Sequence, residues 1–218
     1  MSIEANKANL SFFDKWARSF DKGRLGSYFR HKQELALSLF PVGAKTRLLD
    51  VGCGTGWAVM EAARRAPQGW ACGVDLSSAM VEEARRKTNG LLNAEFLLAD
   101  AESLPYADGY FDCVLCTFSF HHYSTPERAL EEMKRVLKPG GVLHILDNNR
   151  RSFLGLYGLW DLYFKLTEPG HVGYYSKEGL QAAVRKSGFK NVRLVASADE
   201  FFCRGKVFGS YMLVRGER

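Results

Sequence analysis

An apolar run that ends in an acid and then in three alternating glycines constrains this 218-residue chain more than any other feature. It reads Leu48, Leu49, Asp50, Val51, Gly52, Cys53, Gly54, Thr55, Gly56, and a helical pattern with Trp57, Val59, Met60 and Ala63 follows. The run predicts a buried strand. The glycines predict a tight turn free of side chains, because glycine accepts left-handed backbone angles and lets a ligand approach the main chain. Amides at the start of the next helix would then point at that ligand. In open α/β sheets such a turn lies beyond the carboxyl end of a strand, at a switch in strand order.

The spacing narrows the ligand. A dinucleotide fold calls for G-x-G-x-x-G/A, whose third small residue packs helix on strand. Here Trp57 takes that place. Two further apolar runs also meet acids, residues 71–77 at Asp75 and residues 96–100 at Asp100. Asp75 lies about as far downstream as α/β units set a carboxylate for ribose hydroxyls. A fourth run, residues 111–118, follows the turn pair Asp108 and Gly109, and a fifth, residues 142–146, follows Lys138, Pro139, Gly140 and Gly141. Any one of these acids reads equally as a helix cap or turn residue. Three of them in register with one glycine loop form a pattern.

Together the motifs resemble those of the class I S-adenosylmethionine (SAM) dependent methyltransferases, type 11-like group. Its members read D-x-G-C-G-T-G, G-x-D-x-S, D-A-E-x-L-P-F/Y-x-D-x-x-F-D, H-H and V-L-K-P-G-G. The matching stretches are residues 50–56, 73–77 and 100–112, the pair His121 and His122, and residues 136–141. The likeness spans residues 45–147, with a weaker echo to the end. It implies an α/β fold: a Rossmann-like, doubly wound, mostly parallel seven-stranded sheet with an antiparallel carboxy-terminal hairpin. It implies SAM as cofactor. Asp50 and the amides of Gly52, Gly54 and Gly56 would serve the amino acid end, and Asp75 the ribose. Leu76 and Met80 would sandwich the adenine, with Asp100 and the Ala101 amide at its edge. Thr117 and Phe118 would border the sulfonium. The methyl acceptor does not follow from such a likeness.

Length and composition agree with one globular domain over residues 1–218, 46% of residues being apolar and 25% charged, and the resemblance makes it a single methyltransferase domain. Within it, residues 1–44 read as a helical lead-in, 45–148 as the cofactor-binding half, and 149–218 as an acceptor cap followed by the last strands. No signal peptide and no apolar run of membrane-spanning length is seen, so a cytoplasmic protein is expected. The five cysteines have no framework spacing. Cys113 and Cys116 sit three apart in a predicted strand and point to opposite faces, so no metal site is expected there. The net charge of +6 is concentrated at both ends. Basic ends suit an anionic partner or simply a solvated surface. A nucleic acid partner is disfavoured, because Thr117, Phe118, Ser119 and Phe120 stand where base-amine methylation uses N/D-P-P-Y/F.

Local signals fix further expectations. One helix covers residues 78–87. Another starts at Ser124, Thr125, Pro126 and Glu127 with a capping hydroxyl and proline in the first turn, and buries Leu130, Met133, Val136 and Leu137. Ser176 caps a third helix, which turns Leu180, Ala183 and Val184 inward and stops at Gly188. Residues 191–196 and 207–214 read as the last strands. In the lead-in, Phe12, Phe13, Trp16 and Phe20 share one helical face. That stripe is core packing or, by the resemblance, a lid over the cofactor. Phe20 replaces the tyrosine usual in similar enzymes, and Tyr28 is the available substitute.

On the acceptor side, residues 153–166 carry only Asp161 and Lys165 as charges. A helix so apolar is packed, touches lipid or lines a pocket, which leaves a peripheral membrane contact open. The candidate acceptor contacts are Phe20, Tyr28, His121, Trp160, Tyr163, Tyr174 and Tyr175. His171 and His122 are the candidate bases, histidine having a suitable pKa, although the His121–His122 pair reads equally as a shelf for the cofactor. The leading expectation is methyl transfer to a small, largely apolar acceptor: a quinone, lipid or aromatic metabolite. The alternatives are a nucleic acid methyltransferase and a non-catalytic SAM-binding regulator.

Overall fold

The computed structural model describes residues 3–88, 90–149, 173–200 and 209–218. Its centre is a seven-stranded sheet built from β1 (Arg47–Val51), β2 (Trp70–Asp75), β3 (Ala94–Leu98), β4 (Phe111–Thr117), β5 (Leu137–Asn148), β6 (Lys190–Glu200) and β7 (Gly209–Glu217). The order across the sheet is β3-β2-β1-β4-β5-β7-β6. Strands β1 to β5 pair in parallel, while β7 runs antiparallel to both β5 and β6. Strand order reverses between β1 and β4. Their carboxyl ends therefore open a crevice with no crossover above it, which is where open α/β sheets bind ligands.

Helices cover both faces: α1 (Ile3–Trp16), α2 (Gly23–Ser38), α3 (Trp57–Arg65), α4 (Ser78–Lys87), α5 (Pro126–Val136) and α6 (Lys177–Lys186), with a short 3-10 turn at Phe120–His122. Alternation along the strands divides the core. Leu48, Ala71, Cys113, Leu115 and Leu146 pack with α2, α3 and α4, whereas Leu49, Cys72, Val114, Cys116 and Ile145 pack with α5 and α6. Cys113 and Cys116 thus lie in different layers, as a two-residue period requires. Helix α5 presents the expected stripe of Leu130, Met133 and Val136, all fully buried.

Local chemistry explains most element ends. The Ser77 hydroxyl accepts the Met80 amide at 3.2 Å and the Ser176 hydroxyl accepts the Gly179 amide at 3.0 Å, so both serines cap their helices. Thr125 does not cap α5: its side chain makes no capping bond, and its amide donates instead to Glu102 Oε1 at 2.7 Å. The terminal strands are longer than the apolar signal suggested. β6 runs on to Glu200 and β7 ends at Glu217, because hairpin pairing continues through polar residues such as Ser197 and Arg215. Phe20 lies beyond the end of α1, in the turns over residues 17–22, and not on the helix itself.

Candidate cofactor and acceptor site

β1 delivers Asp50 to the crevice fully buried, and among the described residues neither of its carboxylate oxygens has a hydrogen-bond partner. Burial, reinforced by nearby Asp75, pushes its pKa up to about 8. The loop that follows needs its glycines. Gly52, Gly54 and Gly56 have φ of 75°, 51° and 81°. A Cβ on Gly52 would collide with the Ser119 side chain, and one on Gly56 with Phe96.

The loop amides do not form the expected open cradle. Gly52 and Cys53 donate to the Val74 carbonyl at 2.8 and 3.0 Å, Gly56 to Cys53 at 3.0 Å, and Gly54 to Asp75 Oδ2 at 2.8 Å. The glycines therefore contribute space and backbone angles, while the N–H groups of Gly52 and Gly54 hold the loop to β2 and that of Gly56 closes the turn on Cys53. Asp75, half-buried at the end of β2, also accepts the Ser77 amide on Oδ1 at 2.9 Å. Burial raises its pKa, and the amides of Ser77, Gly54 and Leu76 oppose that rise. A carboxylate oxygen can accept more than one donor, so both oxygens keep capacity for ribose hydroxyls.

Beside Asp75 the exposed apolar residues are Leu76, at 38% exposure, and Leu98, at 57%, which pairs with Asp75 across β2 and β3. Met80 is buried in α4 and offers no open surface. Asp100 is exposed and accepts the Glu102 amide at 2.9 Å, and Ala101 next to it is buried.

At the end of β4, Thr117 is buried and its hydroxyl accepts from Gln33 of α2 at 3.1 Å. It anchors α2 and is closed to a ligand. Phe118 takes φ of 52°, rare outside glycine, and its ring packs on Phe29 at 5.0 Å and Tyr28 at 6.0 Å. Phe29 was not singled out in the sequence, yet it stacks on Phe20 at 5.3 Å and meets Trp16 at 6.3 Å. Phe20 in turn lies over Gly54, 3.8 Å from where a Cβ would stand. The aromatic lead-in thus folds across the glycine loop.

The acceptor side starts at the 3-10 turn. His121 Nδ1 lies 2.7 Å from Asp147 Oδ1, and the His121 amide donates to Asp147 Oδ2 at 3.0 Å. Both residues are buried. Tyr174 lies 4.9 Å from the His121 ring, and Tyr175 lies 5.4 Å from Phe120. His122 contacts the His121 ring at 4.0 Å and meets Phe13 of α1 edge-on at 5.1 Å. His171, Trp160 and Tyr163 lie outside the described residues. Ser119 and Tyr123 tie this turn to β1: both hydroxyls donate to the Val51 carbonyl at 3.1 Å. Neither residue carries a sequence signal, since Val51 is far away along the chain.

A family model described as a methyltransferase domain matches residues 49–145. The match runs through the glycine loop, Asp75, Asp100 and the His pair. A demethylmenaquinone methyltransferase of Staphylococcus aureus is 29% identical over 215 residues, covering 87% of this chain and 89% of that protein. A SAM-dependent methyltransferase of Thermotoga maritima, described as a possible histamine N-methyltransferase, superposes with a TM-score of 0.73 at 26% identity, covering 94% of this chain and 97% of that one. The chain carries a methyltransferase domain, and its activity is SAM-dependent methyl transfer. SAM is its cofactor, and the sheet is that of the Rossmann-like methyltransferase fold. YcgJ of Bacillus subtilis, at 21% identity, shares this methyltransferase's fold with a TM-score of 0.75, over 86% of this chain and 98% of that one.

Proposed function

We propose that this methyltransferase acts, as one domain, on a small and largely apolar acceptor: a quinone, lipid or aromatic metabolite. The aromatic cluster at the carboxyl ends of β4 and β5, in which Tyr174 packs on the His121 ring of the His121–Asp147 pair and Tyr175 packs on Phe120, carries this reading. Small-molecule sites are walled in this way, with a few polar groups for orientation. The name of the Staphylococcus aureus relative supports the same acceptor class. Among the described residues no helix is long and apolar enough to cross a membrane, and Cys53, Cys72, Cys113 and Cys116 are buried free thiols, which suits a reducing cytosolic setting.

The residues divide the work as follows. Asp50, buried and lacking a donor among the described residues, fits the cationic amino group of the cofactor. Asp75 accepts the ribose hydroxyls. Leu76 and Leu98 flank the adenine, with Asp100 and the Ala101 amide at its edge. Phe118 and Phe20 shield the centre between them from water. SAM, when bound, supplies a methyl carbon already activated by a sulfonium, so the chain contributes mainly alignment.

For an acceptor that must lose a proton, His121 is better placed as base than His122. With Nδ1–H donating to Asp147, Nε2 carries the basic lone pair, and the carboxylate favours the imidazolium that forms. The test is Tyr174→Ala. Acceptor affinity should fall by about tenfold, roughly 1.4 kcal/mol, with SAM affinity unchanged by calorimetry. Loss of SAM affinity with unchanged acceptor affinity would move this wall to the cofactor side and defeat the reading.

A further inference from the structure

The amino-terminal segment reaches the cofactor loops through two acids. Asp14, in α1, accepts the Ser77 hydroxyl at 2.5 Å. Ser77 is the residue whose amide holds Asp75 Oδ1 at 2.9 Å and whose hydroxyl caps α4. Asp21, in the turn after α1, accepts the Thr55 hydroxyl at 2.9 and 3.0 Å and the Lys87 ammonium. Thr55 belongs to the glycine loop itself. Ser77 and Thr55 are each only 2% exposed, so these bonds are shielded on the loop side.

Asp21 is fixed from behind as well. Arg30 donates to the Asp21 carbonyl at 2.8 Å, and Gly26 of α2 supplies the room in which the Asp21 backbone rests, since a Cβ there would overlap it. Between the two anchors the Phe20 ring covers Gly54. One acid therefore grips the loop after β1 and the other grips the loop after β2. These are the two loops proposed above to hold the amino acid end and the ribose.

We infer that Asp14 and Asp21 are positioning residues that bolt the amino-terminal segment to Ser77 and Thr55, so that the cofactor and its demethylated product leave only when both bonds open. The inference rests on the cofactor site proposed above and adds what controls release from it. Neither acid needs to touch the ligand. Each acts through a hydroxyl whose neighbour, Gly54 or Asp75, lines the site.

The experiment is stopped-flow release of S-adenosylhomocysteine from the full chain, chased with excess SAM and followed by tryptophan fluorescence. Trp16 reports directly, because its ring meets Phe20 at 4.8 Å. Asp21→Ala and Thr55→Val should each speed release by about tenfold, equivalent to roughly 1.4 kcal/mol. The double variant should be no faster than Asp21→Ala alone, because both changes remove one bond. Asp14→Ala should also speed release, whereas Asp14→Asn keeps an acceptor oxygen and should release at the wild-type rate. Thermal unfolding of the same variants separates a purely structural role, which would lower Tm and leave release unchanged. Release within about twofold of wild type, or full additivity in the double variant, overturns the bolt while wild-type binding leaves the cofactor site standing. A wild-type chain that binds no S-adenosylhomocysteine would overturn both.

Discussion

Asp50 and Asp75 lie at the carboxyl ends of adjacent parallel strands, and the fold treats them in opposite ways: Asp75 receives an amide on each carboxylate oxygen, and Asp50 receives none among the described residues. An unpaired carboxyl in a buried place stays protonated, and its folded-state pKa of about 8 stands far above the ordinary 3.8. The unfolded chain releases this proton near pH 4 and the cofactor-free folded chain near pH 8. Stability from this group is therefore full below about pH 4 and is lost as pH rises towards 8. Asp50→Asn should flatten that part of the profile. We expect the wild-type Tm, relative to the variant, to drop between pH 5 and pH 8 by about 2 °C or more. Parallel profiles for the two proteins would contradict an unpaired Asp50.

The same contrast changes what is expected of Asp75. From the sequence, a strand-end acid looks dispensable for folding. Its bonds to Gly54 and Ser77 say otherwise. Asp75→Ala should weaken SAM binding at least about tenfold and also cost about 1–3 kcal/mol of stability, because two amides lose their acceptor. Calorimetry and urea unfolding read the two effects separately. Wild-type SAM affinity would remove Asp75 from the site.

Gly52 is required for its shape. Its φ of 75° costs a residue with a side chain about 1–2 kcal/mol, and a Cβ would also overlap Ser119. Gly52→Ala should therefore lower both stability and SAM affinity. Gly52→Ala with Ser119→Gly should recover the part of the loss that comes from the overlap, while the backbone strain and the lost Ser119–Val51 hydrogen bond remain. If the second change restores nothing, the Ser119 contact is not what excludes a side chain at this position.

His121 and His122 should separate kinetically. With an acceptor that loses a proton, His121→Asn should lower kcat by about 10²–10⁴-fold, the usual range for a general base. His122→Phe keeps the ring contact with Phe13 and should cost far less. Equal losses in the two variants, or a larger loss from His122→Phe, would return the base to His122.

The sheet and cofactor loops were legible because their signals are local. Strand-terminal acids, alternate glycines and the Ser176 cap each depend on a few neighbouring residues. The bolts were half visible: Asp14 and Asp21 stand in the aromatic phrase of the lead-in, but their partners Ser77 and Thr55 lie 63 and 34 residues away. Phe29, Ser119, Tyr123 and Asp147 were silent for the same reason, since each acquires its role from a contact that only the folded chain makes. The turn of the loop amides onto β2 was also unreadable, because the acceptors of Gly52, Cys53 and Gly54 are the distant Val74 carbonyl and Asp75.

Turnover with radiolabelled SAM tests the central claim most directly. The purified chain would be offered a panel of apolar hydroxyquinones and phenols beside bulk RNA, over a range of salt. Label should pass to an organic-extractable quinone or phenol and depend little on salt, because apolar burial at roughly 25 cal/mol per Å² drives acceptor binding. Transfer confined to RNA, falling steeply as salt rises as phosphate contacts do, would contradict a small apolar acceptor.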